Sequence, residues 1–595
     1  MNKLKTIHFA FFVAISLLLF SCQKSILSDT IAPTDSNNLV ATMLTSTSGF
    51  VTNENNLPVQ GATVTAGAKT TITDKYGYFE INNAELVKNA AFVTVVKPGY
   101  FKGIKTWIAN DAKPSFFRIK LLPKINVGTV NATTGGDVTL VGGMKIIFPA
   151  GGVKNAITNA AYAGTVSVLA QWLNPTATDL NSIMPGDLRG KDASGALKLL
   201  TTYGMAAVEL VGSAGELLQI ANGKKATLSM PIPTSILANA PATIPLWHFD
   251  ENLALWKEEG TATKVGNTYV GDVAHFSFWN CDVPNNYVQF NCTVVNTAGL
   301  PVQNAVVKIS MVSNPNNAAS GCTNEAGYVN GAVPNNANLL LEVFGNYTCN
   351  TAAFSQTFNT TNTNITYGNV VINTTTNLAT INGSVTNCSN APVTNGYIIL
   401  QNGYVFSRYN LSATGTYSIN QIRCSAAANN INFVAEDITA AQQSNNVVYP
   451  IVSGVNNIPT IQACGISTSE YVNITVNSVA INYTFPTDSL YIWSQGTTAP
   501  VNYVRANRIP PSNTTTPSNF SFTNVGIAVG SVQNLNSFST PTIPNNSTIN
   551  TPIGVNITEY GAVGQYIAGN FSGVITGPPP TLTLYNITCN FRLRR

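Results

Sequence analysis

Hydrophobic and polar positions alternate with a period of two along much of this chain. In Val555-Asn556-Ile557-Thr558-Glu559-Tyr560, and again from Leu584 to Leu593, every second side chain falls on one face, the pattern of a strand with one side buried. The run His275-Phe276-Ser277-Phe278-Trp279-Asn280 does the same, with Phe276 and Phe278 on one face and His275, Ser277 and Trp279 on the other. Two segments break the pattern. Phe9 to Phe20 is an uninterrupted, mostly apolar run, and Gln23 to Asn38 is rich in Ser, Thr, Asp and Pro without periodicity, which predicts a flexible tether. The folded part is expected to begin near Thr45.

Within the alternating part a phrase recurs. Val51-Thr52-Asn53 followed by Leu57-Pro58-Val59-Gln60-Gly61-Ala62-Thr63-Val64 returns as Val294-Val295-Asn296 with Leu300-Pro301-Val302-Gln303-Asn304-Ala305-Val306-Val307. A weaker copy is Val385-Thr386-Asn387 with Ala391-Pro392-Val393-Thr394-Asn395-Gly396-Tyr397-Ile398. Each copy is followed by a second phrase: Thr73-Asp74-Lys75-Tyr76-Gly77-Tyr78-Phe79, then Thr323-Asn324-Glu325-Ala326-Gly327-Tyr328-Val329, then Ala413-Thr414-Gly415-Thr416-Tyr417. The physics is that of turns between strands: Pro ends a ladder, Gly or Asn accepts positive φ, and an aromatic enters the core directly after the bend.

Residues 48–106 resemble the carboxypeptidase regulatory-like domain, through Gly49-Phe50-Val51, the Pro58–Val64 phrase, Thr73-Asp74, Gly77-Tyr78-Phe79 and Lys97-Pro98-Gly99-Tyr100. That resemblance implies a seven-stranded transthyretin-like β-sandwich. Residues 284–375 and 376–466 look like diverged relatives of it or Ig-like domains. Further along, Gly135-Gly136-Asp137-Val138-Thr139-Leu140 and Lys145-Ile146-Ile147-Phe148-Pro149-Ala150-Gly151-Gly152 resemble the opening of a ZU5 domain. The expected organisation is therefore a leader over 1–21, a tether over 22–44, and modules over 45–122, 123–283, 284–375, 376–466 and 467–595. The fold class is all-β, tandem β-sandwich modules of transthyretin-like or Ig-like kind strung in a row.

Composition sharpens this. Charged residues are 9% of the chain, against about 25% in an average soluble domain, so amides and hydroxyls supply the polar surface. Such a surface suits strand faces and turns more than helices. The formal charge is +4 over 595 residues, and no basic run precedes the terminal Arg592-Leu593-Arg594-Arg595. No nucleic-acid footprint follows from that distribution.

The N-terminus adds an address. Lys3 and Lys5 precede an apolar run too short to span a bilayer stably, the form of a secretory signal. Its end, Leu19-Phe20-Ser21-Cys22, resembles the lipobox of bacterial lipoproteins. The resemblance implies cleavage before Cys22 and acylation of its thiol, hence an exported protein anchored in the outer membrane, on the periplasmic face or the cell surface. The other eight cysteines, Cys281, Cys292, Cys322, Cys349, Cys388, Cys424, Cys464 and Cys589, are expected in disulfides, in pairings the sequence leaves open.

Candidate chemistry is sparse. His-Phe-Ser tripeptides support autoproteolysis in ZU5-family proteins, so His275, Phe276 and Ser277 are candidates for self-cleavage between Phe276 and Ser277; a core strand explains the same residues. Trp247, Trp256 and Trp279 fit either a sugar-stacking platform or a core. No metal-ligand spacing or nucleotide fingerprint is present, and no cofactor is expected. The sequence thus points to a structural or binding role without catalysis, with a membrane as one partner through lipid on Cys22 and a glycan or surface protein as another. Self-processing and carbohydrate binding stand as alternatives.

Overall fold

The computed structural model describes residues 41–595 apart from 111–112, 374–376, 426, 486, 496–500, 509–518, 526–528, 531, 562–565 and 595. Cys22, the leader and nearly all of the tether lie outside the described residues. Strands account for almost all regular structure; the α-helical pieces among the described residues are Leu180–Ile183 and Thr234–Leu237.

The first module has seven strands: β1 (Thr42–Thr52), β2 (Thr63–Ala66), β3 (Lys69–Ile72), β4 (Tyr78–Val87), β5 (Ala91–Val96), β6 (Gly103–Trp107) and β7 (Ser115–Lys120). They form a three-stranded sheet in the order β4-β1-β7 and a four-stranded sheet in the order β3-β2-β5-β6. β1 and β7 run parallel, and the remaining pairs are antiparallel. Alternation sorts the side chains as the pleat requires: Ala91, Val93 and Val95 are buried while Phe92 and Thr94 are only partly so.

The recurring phrases close this sandwich at one end. Asn53 turns back on itself, its Oδ1 accepting from the N–H groups of Asn55 and Leu57, both at 2.9 Å. Asp74 forms the second turn, its Oδ1 accepting from Tyr76 N (2.8 Å) and Tyr78 N (2.9 Å). The two turns are latched together. Val51 N donates to Gly77 O, Val59 N donates to Val51 O, and the buried Thr73 hydroxyl donates to Val59 O while accepting from Ala62 N. Gly77 has to be glycine here, because φ is +73° and a Cβ would stand 2.2 Å from Val51 O.

Both later copies repeat the two turns and the backbone latch; the Thr73 hydroxyl recurs as Thr323 in the second copy, whereas Leu411 stands there in the third. Asn296 and Asn387 cap the first turn through the same two N–H groups, and Asn324 and Ser412 take the place of Asp74. Their sheets have the same order too. Tyr287–Asn296, Tyr328–Pro334 and Ile365–Ile372 stand where β1, β4 and β7 stand, opposite a four-stranded sheet built on Val306–Met311. Leu378–Thr386, Thr416–Ile422 and Gly454–Asn457 do so again, opposite a sheet built on Gly396–Asn402. A Cys388–Cys464 disulfide closes this last copy.

Residues 126–285 form one sheet of 13 strands wrapped on a core that includes Trp279, Tyr269 and Phe148. From Tyr471 to Arg594 a nine-stranded sheet bends over so that its two ends share a core, with Tyr483 stacked on Phe520 at 6.4 Å between centroids. Pro578-Pro579-Pro580 sits in the loop between the last two strands, where Pro withholds no ladder donor.

The modules do not follow one another in a simple row. Leu39–Arg595 is one compact body, and the first module touches all four others. Phe101 packs on Phe278 at 6.1 Å, and Lys120 pairs with Asp179 of the second module at 2.9 Å. Asn324 and Asn330 donate to Pro114 O and Ile108 O. Arg118 donates to Phe406 O at 2.9 Å, and Gln60 contacts Glu470 at 3.4 Å. A shared apolar cluster of Phe50, Tyr78, Phe116, Val306 and Cys322, flanked by Phe406, fills the centre. The aromatic after the Gly77 bend is expected to enter the core; Phe79 does so, whereas Tyr78, with Phe50 and Phe116, faces out of the first module's own core and is covered by neighbouring modules.

Candidate functional site

His275-Phe276-Ser277 lies on the approach to the strand Phe278–Asn285, which pairs with Leu197–Gly212 on one side and Thr243–Asp250 on the other. Gln219, from Leu217–Ile220, holds Phe276 at both ends: Phe276 N donates to its Oε1 at 2.6 Å, and its Nε2 donates to Phe276 O at 3.0 Å. The Ser277 hydroxyl donates to Phe278 O at 3.1 Å. Ser277 also lines a cleft of about 340 Å³ together with Gln219, Glu209 and Phe278.

His275 faces elsewhere. Its Nε2 lies 3.5 Å from Glu259 Oε2, its ring packs on Trp279 at 5.1 Å, and Trp279 Nε1 donates to His275 O at 2.9 Å. The base and nucleophile that self-cleavage needs are therefore committed to separate partners: the imidazole to Glu259, the hydroxyl to a backbone carbonyl.

What the sheet does assemble is a group the sequence conceals. His248 on Thr243–Asp250 and Glu259 on Leu255–Val265 occupy neighbouring antiparallel strands, and His275 closes over them. His248 Nε2 lies 3.4 Å from the same Glu259 Oε2, and the two imidazoles meet edge to face at 4.7 Å. Burial, and then the nearby His275, push the His248 pKa down, which favours the neutral ring. Among the described residues this is the trio of His, Cys, Asp or Glu side chains placed to hold a metal ion. The expectation of no metal came from local spacing, and local spacing does not register residues 27 apart that strand pairing brings together.

The eight cysteines divide. Cys349–Cys424 and Cys388–Cys464 are disulfides, while Cys281, Cys292, Cys322 and Cys589 are buried free thiols. The expectation that all eight pair is thereby corrected. Each of the four free thiols lies in a different apolar cluster, so none has a cysteine within bonding reach. Burial raises their pKa values, that of Cys292 to about 12, which keeps them as inert thiols.

Trp247, Trp256 and Trp279 have no exposed surface. A sugar-stacking platform built from them is excluded, because their faces are covered by the core. A mixed cavity of about 190 Å³ opens instead where the first three modules meet, lined by residues including Lys105, Phe116, Met184, Asn317 and Tyr347. Burial lowers the Lys105 pKa to about 7, and the ammonium donates to Asn181 O and Met184 O.

No family model and no curated protein matches this chain. Solved structures give partial overlaps. The shaft pilin SpaA of Lactobacillus rhamnosus GG is 11% identical over 30% of this chain and 99% of its own, with a TM-score of 0.16. A streptococcal ancillary pilin overlaps 39% of this chain and 96% of its own at 7% identity and a TM-score of 0.13. The Bacillus anthracis TIE protein overlaps 60% of this chain and 72% of its own, at 9% identity and 0.14.

Proposed function

We propose that this chain is an exported envelope protein, anchored by acyl chains on Cys22, whose sandwiches make one rigid body that binds or scaffolds a glycan or a surface protein. The observation that carries the reading is the embedding of the first module among the other four, sealed by the Phe50, Tyr78 and Phe116 cluster and by the Cys349–Cys424 bond between the third and fourth modules. Such an arrangement holds surface loops in fixed relative positions, which lowers the entropy lost on binding an extended partner. Two disulfides support folding in an oxidising compartment outside the cytosol. No helix of the described residues is long and apolar enough to cross a membrane, and acyl chains supply anchoring without one.

Labelling growing cells with radioactive fatty acid tests the anchor: label is expected in the wild-type protein and absent from Cys22→Ala, and label that persists in the variant overturns this part. Pull-down from intact cells tests the binding role, with recovery of a stoichiometric glycan or surface protein expected. Recovery of the protein alone under conditions that preserve surface complexes contradicts it.

A further inference from the structure

The trio on the second module carries a chemistry of its own. The whole sequence contains three histidines, and two of them, 27 residues apart, converge on one carboxylate oxygen. Two imidazoles and a carboxylate are the donor set of zinc sites that keep an open position. The spacing matches as well. Bonds of 2.0–2.2 Å in a tetrahedron put neighbouring donor atoms about 3.3–3.5 Å apart, and the two histidine–glutamate separations are 3.4 and 3.5 Å. All three donor atoms lie within 4.8 Å of one another, so a small rotation of the imidazoles completes the arrangement.

The surroundings favour binding over a simple ion pair. Trp279 backs both imidazoles, at 5.7 Å from His248 and 5.1 Å from His275, and limits how they can turn. His248 is mostly covered, at 13% side-chain exposure, whereas His275 and Glu259 are open at 31% and 41%. A site of this form is anchored on its inner side and open to solvent on its outer side.

We propose that His248, Glu259 and His275 bind one divalent transition-metal ion of the zinc class, with a fourth coordination position facing solvent. The ion ties two adjacent strands to the segment that leads into Phe278–Asn285, and so fixes the His275-Phe276-Ser277 approach. Nitrogen donors set the selectivity: calcium and magnesium prefer all-oxygen shells and do not compete.

The test uses the untagged full-length chain, stripped with a chelator and dialysed against Zn²⁺. Elemental analysis is expected to find one equivalent per chain, undiminished by millimolar Ca²⁺ or Mg²⁺. Co²⁺ in its place should give the intense visible bands of a four-coordinate ion. Glu259→Gln and His275→Ala should each weaken zinc binding at least tenfold while leaving the metal-free melting temperature within the error of the wild type. Glu258→Gln, which removes the same charge from the next residue, should leave affinity unchanged. Zinc that is not retained by the wild-type chain, or that is retained equally by Glu259→Gln and His275→Ala, overturns the proposal.

Discussion

The Arg408 guanidinium lies 4.3 Å from the ring centroid of Tyr78, a residue 330 positions earlier in the chain. It also lies 4.0 Å from the ring centroid of Tyr397 in its own module, so the cation contacts rings of both the first and the fourth modules. The contact stands beside Lys75–Glu436 at 2.5 Å and the Tyr76–Phe406 pair. Together these make the seam that folds the fourth module onto the first.

A desolvated cation–π contact is worth about 2 kcal/mol. Arg408→Ala is expected to lower the unfolding free energy by roughly that amount, and Arg408→Lys to restore little of it, because a compact, strongly hydrated ammonium replaces the planar, weakly hydrated guanidinium that reaches both rings. A double-mutant cycle with Tyr78→Leu checks the assignment: additive effects would show that the two side chains do not interact.

The thiols can be counted. A Cys22→Ala chain is expected to present no reactive thiol when folded and four when unfolded without reductant, those of Cys281, Cys292, Cys322 and Cys589. Removing the Cys349–Cys424 bridge by paired alanine substitution should cost about 2–4 kcal/mol in chemical denaturation. Eight reactive thiols in the unfolded, unreduced chain would refute the pairing.

Asp74 makes the stability of the first module depend on pH. Burial raises its pKa to about 6 from an ordinary 3.8, against the opposing pull of Arg408 and of the Tyr78 and Tyr76 N–H groups. A carboxyl raised in the folded state favours folding when protonated. Its contribution is therefore fully present below pH 3.8 and is lost as pH climbs through about 6. Asp74→Asn keeps the Oδ1 acceptor that Asn324 supplies in the second copy, so it should be tolerated at pH 7 and should remove this loss between pH 4 and 6. Equal pH slopes for variant and wild type would dismiss Asp74 as the source.

With His275 committed to Glu259 and the Ser277 hydroxyl to Phe278 O, the peptide between Phe276 and Ser277 should stay intact. Intact-mass measurement after long incubation at neutral pH is expected to show one species. Two fragments that disappear in Ser277→Ala would restore self-processing.

Much of the module-level build was legible in residues that act locally. Asn53, Gly77 and their later counterparts announce turns because the chemistry of those turns lies within a few residues. The all-β class followed from alternation for the same reason. What stayed hidden depends on register and on contacts between distant segments. Tyr78 follows the Gly77 bend and reads as a residue of its own module's core, yet it joins a cluster shared between modules, with Tyr76 and Phe406 packed against it. His248 and His275 look like isolated histidines until two paired strands and the segment leading into Phe278–Asn285 bring them side by side around Glu259. The cysteines could be counted but not sorted, since only the packing separates Cys349 and Cys424, which share a seam, from Cys292 and Cys589, which lie in separate cores.

The modules fold back on the first as one body. Small-angle X-ray scattering from a chain beginning at Ala41 distinguishes this arrangement from a row of sandwiches. The measured curve should match the one calculated from this single compact arrangement, at all protein concentrations. A maximum dimension equal to that of five sandwiches laid end to end would contradict it.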